Sequence, residues 1–195
     1  MLKTLLTILL LAAPSVPTFA QQTPSWEFFA GYSMQRTNVR DYFKSTPIIY
    51  AVRNRYENLD GWNFSITENM NKRLGGTLEL NGHYKTVPFQ GTNSAQQMHS
   101  IVYGPRVSLR KSAFVPFVHI LVGIAHADVR VKPTGPHLSD NSLAIAAGAG
   151  LDVNLWKGVA VRVLQAEFFH ANAMGSNQNH YRAAAGIVFH VGKNK

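Results

Sequence analysis

The chain has 195 residues, of which 46% are hydrophobic and only 15% charged, yet its net charge is +9. That length suits one compact domain. The cations are scattered with no Lys and Arg run, which excludes a nucleic-acid binder, and the absence of cysteine excludes thiol chemistry, a lipidated N-terminus and a disulfide framework.

Met1 to Ala20 has a single charge, Lys3, an apolar run from Leu5 to Ala13 broken only by Thr7, then Pro14, Pro17 and the ending Thr18-Phe19-Ala20. This is the pattern of a cleavable export signal covering residues 1–20, too short in its apolar part to span a bilayer. The mature domain is then 21–195. Beyond the signal no run approaches 18 apolar residues, so any spanning structure must be a barrel.

Eight segments of period-two alternation follow. The first, Ser25 to Arg36, sets Trp26, Phe28, Ala30, Tyr32 and Met34 against Glu27, Phe29, Gly31, Ser33 and Gln35. After some twenty residues, Asp60 to Asn69 opposes Trp62, Phe64 and Ile66 to Asn63, Ser65 and Thr67, and a tight link at Met70 to Lys72 enters the third strand, where Leu74, Leu78, Leu80 and Tyr84 face away from Thr77, Glu79, Asn81 and His83. A polar linker, Thr86 to Gln97, reads as a long loop. The fourth strand, Met98 to Arg110, turns at Lys111-Ser112 into the fifth, Ala113 to Ala127, whose two faces are both nearly apolar. Asp128 to Asn141, with Pro133 and Pro136, reads as another long loop. Ser142 to Leu155, a turn at Trp156-Lys157-Gly158, Val159 to Phe169, a loop at Met174 to Gln178 and Asn179 to Gly192 complete the set.

The links therefore alternate long and short, as in a membrane barrel with short periplasmic turns and long outer loops. A soluble carrier with its apolar face inward is the competing fold. It would bathe the polar face in water, but that face holds mostly Gly, Ser, Ala, Asn and Thr with few charges, which suits a crowded lumen. Trp26, Phe28, Phe114, Trp156 and Phe189 toward the short turns, and Tyr32, Trp62, Tyr84, Phe168 and Tyr181 toward the long loops, make two interfacial belts. The fold class is all-β, an eight-stranded antiparallel up-and-down transmembrane barrel.

On the polar face Glu79, Arg106, Arg110, His119, Asp152, Arg162, Glu167 and Arg182 are expected to form a paired network plugging the lumen. Glu167 reaches the lumen only if a bulge near Leu164 to Ala166 corrects its phase, and Pro105 and Pro116 inside strands imply bulges or ladder breaks. The first outer loop carries Arg40, Tyr42, Phe43, Lys44, Arg53, Arg55 and Tyr56, a basic and aromatic mix suited to phosphosugars or a partner surface. No spacing sets a nucleophile beside a base and an orienting acid, so no catalytic residue is assigned. His126 with Asp128 and His180 with His190 are set aside as metal pairs; no metal or cofactor is expected.

The segments Tyr103-Gly104-Pro105-Arg106, Pro116-Phe117-Val118-His119, Gly148 to Val153, Val161 to Phe168 and Arg182 to Phe189 resemble the outer-membrane β-barrel domain family, small barrels related in architecture to the OmpA and OmpX types. The resemblance implies the outer membrane of a diderm bacterium, contact with lipopolysaccharide, and a monomer inserted by the general assembly machinery through its last strand. That strand departs from the family's insertion signal by carrying Val191 where an aromatic is usual and by ending in Lys193-Asn194-Lys195. The expected role is structural or surface-interacting, adhesin-like, with an unknown extracellular ligand; a narrow pore for water or small ions, or a lipid A-modifying barrel, are the other readings.

Overall fold

The computed structural model describes residues 23–38, 56–89, 92–132, 137–173 and 176–193. The expected export signal and the loop residues Arg40, Tyr42, Phe43, Lys44, Arg53 and Arg55 lie outside the described residues. The eight strands are β1 (Trp26–Asn38), β2 (Tyr56–Asn69), β3 (Leu74–Phe89), β4 (Thr92–Ser108), β5 (Phe114–Lys132), β6 (His137–Trp156), β7 (Val159–Ala173) and β8 (Ser176–Val191). Each pairs antiparallel with its chain neighbour, and β1 pairs with β8 from Trp26↔Val191 to Arg36↔Tyr181, closing the sheet.

Closure gives every strand a hydrogen-bonded neighbour on both sides, which a bilayer demands because its hydrocarbon supplies no hydrogen-bond partners. No helix among the described residues is long and apolar enough to cross a membrane. The two faces separate as the alternation requires. Ile101, Tyr103, Ile120, Ile124, Leu143 and Ile187 are exposed on the outside, whereas Asn63, Ser65, Thr67, Thr77 and Asn81 are buried inside. The belts are in place, with Tyr32 opposite Trp62 and Phe168 opposite Tyr181. Beyond the outer belt the exterior becomes polar: His126 Nδ1 lies 2.8 Å from Asn141 Oδ1 and His170 Nδ1 lies 2.7 Å from Asn179 Oδ1.

Two expected loops are corrected. Most of Thr86 to Gln97 and of Asp128 to Asn141 is strand, because β3 runs to Phe89, β4 starts at Thr92, β5 runs to Lys132 and β6 starts at His137. These stretches continue the ladders past the apolar zone, where nothing maintains a hydrophobic alternation. The sequence pattern therefore marks only the lipid-spanning part of each strand.

The bulge is real but lies slightly earlier than expected. Leu151 pairs with Leu164 while Asp152 pairs with Arg162, so Val163 is the extra residue, and Val163 and Leu164 both face outward. That one insertion brings both Arg162 and Glu167 inside. Pro105 interrupts the β4–β5 ladder, which skips Gly104 and Pro105 without changing register. Pro116 makes neither bulge nor break in the β5–β6 ladder. Its carbonyl accepts from Leu109 N at 2.9 Å, so its missing N–H points toward β4 just beyond the end of that strand and removes only a terminal bond.

The β1–β8 seam depends on two glycines. Gly31 opposes Gly186, and Gly186 opposes Arg162. A Cβ on Gly186 would sit 2.3 Å from the Ala30 carbonyl oxygen and 2.5 Å from Gly31 Cα, backbone that cannot yield. Gly186→Val should therefore destabilise the barrel by more than the roughly 1–3 kcal/mol of ordinary overpacking. Semi-native electrophoresis should show most of the protein losing its heat-sensitive compact band.

Candidate functional site

The lumen is the site that the fold creates. Strands of one barrel turn alternate residues inward, and an eight-stranded interior is only wide enough for side chains. All eight network residues named from the sequence are found there, from the short-turn mouth to the middle of the barrel.

At the short-turn end, Glu27 accepts from Asn69 Nδ2 at 2.9 Å and is paired with Arg110, whose Nη2 also donates to Asn69 Oδ1 at 2.9 Å. Arg110 lies just past the end of β4 yet folds back into the mouth. Arg106 bridges upward, with Nη1 3.3 Å from Glu27 Oε2 and Nη2 donating to Asp152 Oδ2 at 2.7 Å. Asp152 is shared: Arg162 donates to it from Nε at 2.7 Å and from Nη2 at 3.1 Å, a two-pronged contact that fixes orientation as well as charge. Arg162 Nη1 then donates to Gln165 Oε1 at 2.6 Å, and Gln165 Nε2 donates to both Glu79 Oε2 and Glu167 Oε1 at 2.7 Å. Arg182 Nε stands 3.2 Å from Glu167 Oε2, and His119 Nε2 stands 2.8 Å from Glu167 Oε1.

Four guanidinium groups and four carboxylates thus meet in one connected chain, with Arg106, Arg162 and Glu79 at 1%, 2% and 0% exposure. A lone charge at such burial would be expensive, and here most of the lone pairs and donors are engaged by neighbouring residues, Arg110 Nε and Arg182 Nη2 being exceptions. Aromatic rings complete the packing. The Arg106 and Arg162 guanidinium carbons lie 3.8 and 4.5 Å from the Phe117 ring centre, Arg162 lies 4.2 Å from that of Phe29, and Arg182 lies 3.9 Å from that of Phe169.

Above this network an apolar cluster fills much of the interior. Met98, Val102, Leu121, Ala125, Ala127, Val129, Ala144, Ala146, Phe169 and Ala171 pack together, with His83 bonded to Ser33 at 2.9 Å. The donor atoms of Glu79, His119 and Glu167 lie within 4.8 Å of one another. Gln165 and Arg182 already engage their carboxylates, so ion pairing accounts for the cluster. His180 and His190 sit ten residues apart on β8, about 33 Å of strand, and cannot share an ion. Tyr56 begins β2, with the Arg36 guanidinium 5.3 Å from its ring centre.

Glu27, Asn69 and Gln165 are network members that the charge pattern of the sequence left out. The inward parity of Glu27 was visible. Gln165 was hidden by the bulge, and Asn69 is a neutral partner that no charge count selects.

These features define a small, closed outer-membrane barrel with an ion-paired interior. The model of the outer membrane protein beta-barrel domain family matches residues 6–192, and the chain belongs to that family; the protein resides in the outer membrane of a Gram-negative bacterium. No curated protein matches the sequence. Among solved structures, the chain is similar to Ail, the attachment invasion locus protein of Yersinia pestis, solved in complex with the heparin analogue sucrose octasulfate. Identity is 16%, TM-score 0.58, with 86% of this chain and 99% of that one covered. It is also similar to neisserial surface protein A at 12% identity and TM-score 0.62, covering 85% and 97% of the two chains. At these identities the likeness shows the fold.

Removing one partner leaves the others charged and buried. Asp152→Ala strands Arg106 and Arg162 together and should cost about 3–5 kcal/mol, measured by urea unfolding of the protein in lipid vesicles. A cost below about 1 kcal/mol, the level of a surface pair, would mean that water reaches these groups.

Proposed function

We propose that this barrel is a non-catalytic surface protein, whose work is done by the parts that stand outside the membrane while the lumen serves as a rigid plug. The observation that carries this reading is the continuous network from Glu27 to Arg182, in which Arg106 is 1% and Arg162 2% exposed. Any ion passing through would have to break several charge-assisted bonds at once. The described strands rise well past the aromatic belt on the outer side, and the sequence between β1 and β2 carries the basic and aromatic set Arg40, Tyr42, Phe43, Lys44, Arg53 and Arg55. Such a set suits anionic sugars, held by cations and by rings stacked on sugar faces. The similarly folded Ail was solved with a sulfated sugar, which supports that ligand chemistry. Insertion through β8 by the assembly machinery, packing against lipopolysaccharide and a monomeric state complete the proposal.

The test has two arms. Purified protein in planar bilayers should pass no current above background, and a steady conductance would favour the narrow-pore reading. Cells displaying the protein should bind a surface coated with a sulfated or phosphorylated polysaccharide, and deletion of residues 40–54 should lower binding at least tenfold. Equal binding by the deletion variant would remove the loop from the account.

A further inference from the structure

The short-turn end of the barrel carries a set of cations that the lumen network does not use. Lys72 and Arg73 lie in the β2–β3 turn, Lys111 in the β4–β5 turn, Lys157 in the β6–β7 turn and Lys193 just past β8, and all five are exposed. Among the described residues none of the five forms an ion pair. Arg110, the remaining cation here, is paired with Glu27 inside the mouth. The one exposed carboxylate of the described residues at this end is Glu68, opposite Trp26.

The turns hold these cations in defined places. Asn71 Oδ1 accepts from Arg73 N at 2.8 Å and from Leu74 N at 2.9 Å, and Ser112 Oγ accepts from Phe114 N at 3.2 Å. Lys157-Gly158 is a tight turn that Gly158 allows by taking a φ of 87°. Because the strands close in chain order, the β2–β3, β4–β5 and β6–β7 turns and the end of β8 beside β1 follow one another around the wall about two strands apart. The cations therefore form a ring, not a patch on one side.

Each member of the ring stands next to a side chain that faces lipid. Arg73 precedes Leu74, Leu109 comes two residues before Lys111, Trp156 precedes Lys157 and Val191 comes two residues before Lys193, and all four apolar side chains are exposed on the outer surface. Trp156 is 72% exposed, and its ring is of the kind that settles at a membrane–water boundary. A Lys or Arg at such a position lays its stem along the apolar wall and carries its charge to the level of the lipid headgroups.

We propose that this ring binds the phosphate groups of anionic phospholipids in the leaflet that faces the periplasm, so that the barrel gathers an annulus of acidic lipid around its short-turn end. A protein or a cell-wall strand would approach the mouth from below and would need cations collected on one side or across the opening. Five cations spread around the wall, each beside an apolar neighbour at the lipid boundary, fit a partner that surrounds the barrel. The inference does not depend on the surface-binding role of the outer loops.

The probe is spin-labelled phosphatidylglycerol, set against spin-labelled phosphatidylcholine, in phosphatidylcholine vesicles that hold the protein. Electron paramagnetic resonance should show phosphatidylglycerol occupying the motionally restricted sites beside the barrel with a preference of about threefold or more at low salt. Salt at about 1 M should bring that preference close to one, because screening then acts within about 3 Å; this response is read on the wild-type protein without any substitution. Lys72→Gln, Arg73→Gln, Lys111→Gln, Lys157→Gln and Lys193→Gln together should abolish the preference, whereas changing the four lysines to arginine should preserve it, and both proteins should keep the heat-sensitive compact band. Deletion of residues 40–54 should leave the preference as it is. Absence of any preference in the wild type at low salt, its survival in the glutamine variant, or its loss on deleting the outer segment overturns the proposal. A glutamine variant that keeps its lipid selectivity but no longer sediments with purified peptidoglycan would make the ring a cell-wall contact and overturn it equally.

Discussion

Everything in this molecule follows from closing a sheet inside a solvent that offers no hydrogen bonds. An open edge in hydrocarbon leaves a row of unpaired amides, each costing several kcal/mol. The β1–β8 seam removes that row, and Gly31 and Gly186 allow the two backbones to meet while leaving room for Arg162 beside them. Once the sheet closes at eight strands, the interior is a narrow tube whose contents are sealed from both lipid and bulk water.

That sealing explains the chemistry of the lumen. Charged side chains there cannot rely on solvent, so each acid accepts from more than one donor. Asp152 serves Arg106 and Arg162, and Glu167 serves Arg182 and Gln165. Phe117 sits against two of the guanidinium groups, which lets flat cations pack tightly on an aromatic face. The plug is therefore a consequence of closure, and it is the reason the proposed role is placed on the outer rim.

The sequence carried the membrane-spanning architecture well, since lipid on one side and a crowded lumen on the other impose strict alternation. Trp62, Phe64 and Ile66 against Asn63, Ser65 and Thr67 show this in one strand. Legibility stopped where that constraint stops. Above the belt no lipid imposes an apolar outer face, and inward positions such as Ser94 and Gln96 are buried yet polar, so Thr86 to Gln97 looked like loop although it mostly continues the sheet. The charged members of the lumen network were visible through parity, including Glu167 once a bulge was allowed. Gln165 and Asn69 were not, because a neutral amide linking two charged groups leaves no mark in a charge pattern. The unequal heights of the β5–β6 and β6–β7 ladders depend on pairing between distant segments and have no local signature.

The polar face lies inside and the apolar face against lipid, around a closed, dry wall. The chain has no cysteine, so single-cysteine spin labels can be walked along β4 from Ile101 to Val107 in lipid vesicles. Collisions with dissolved oxygen should peak at Ile101, Tyr103, Pro105 and Val107, and labels at the intervening positions should be shielded from both oxygen and a water-soluble nickel complex. Strong access of the nickel complex at Val102, Gly104 and Arg106 would mean a water-filled interior, and loss of the two-residue period would contradict the barrel itself.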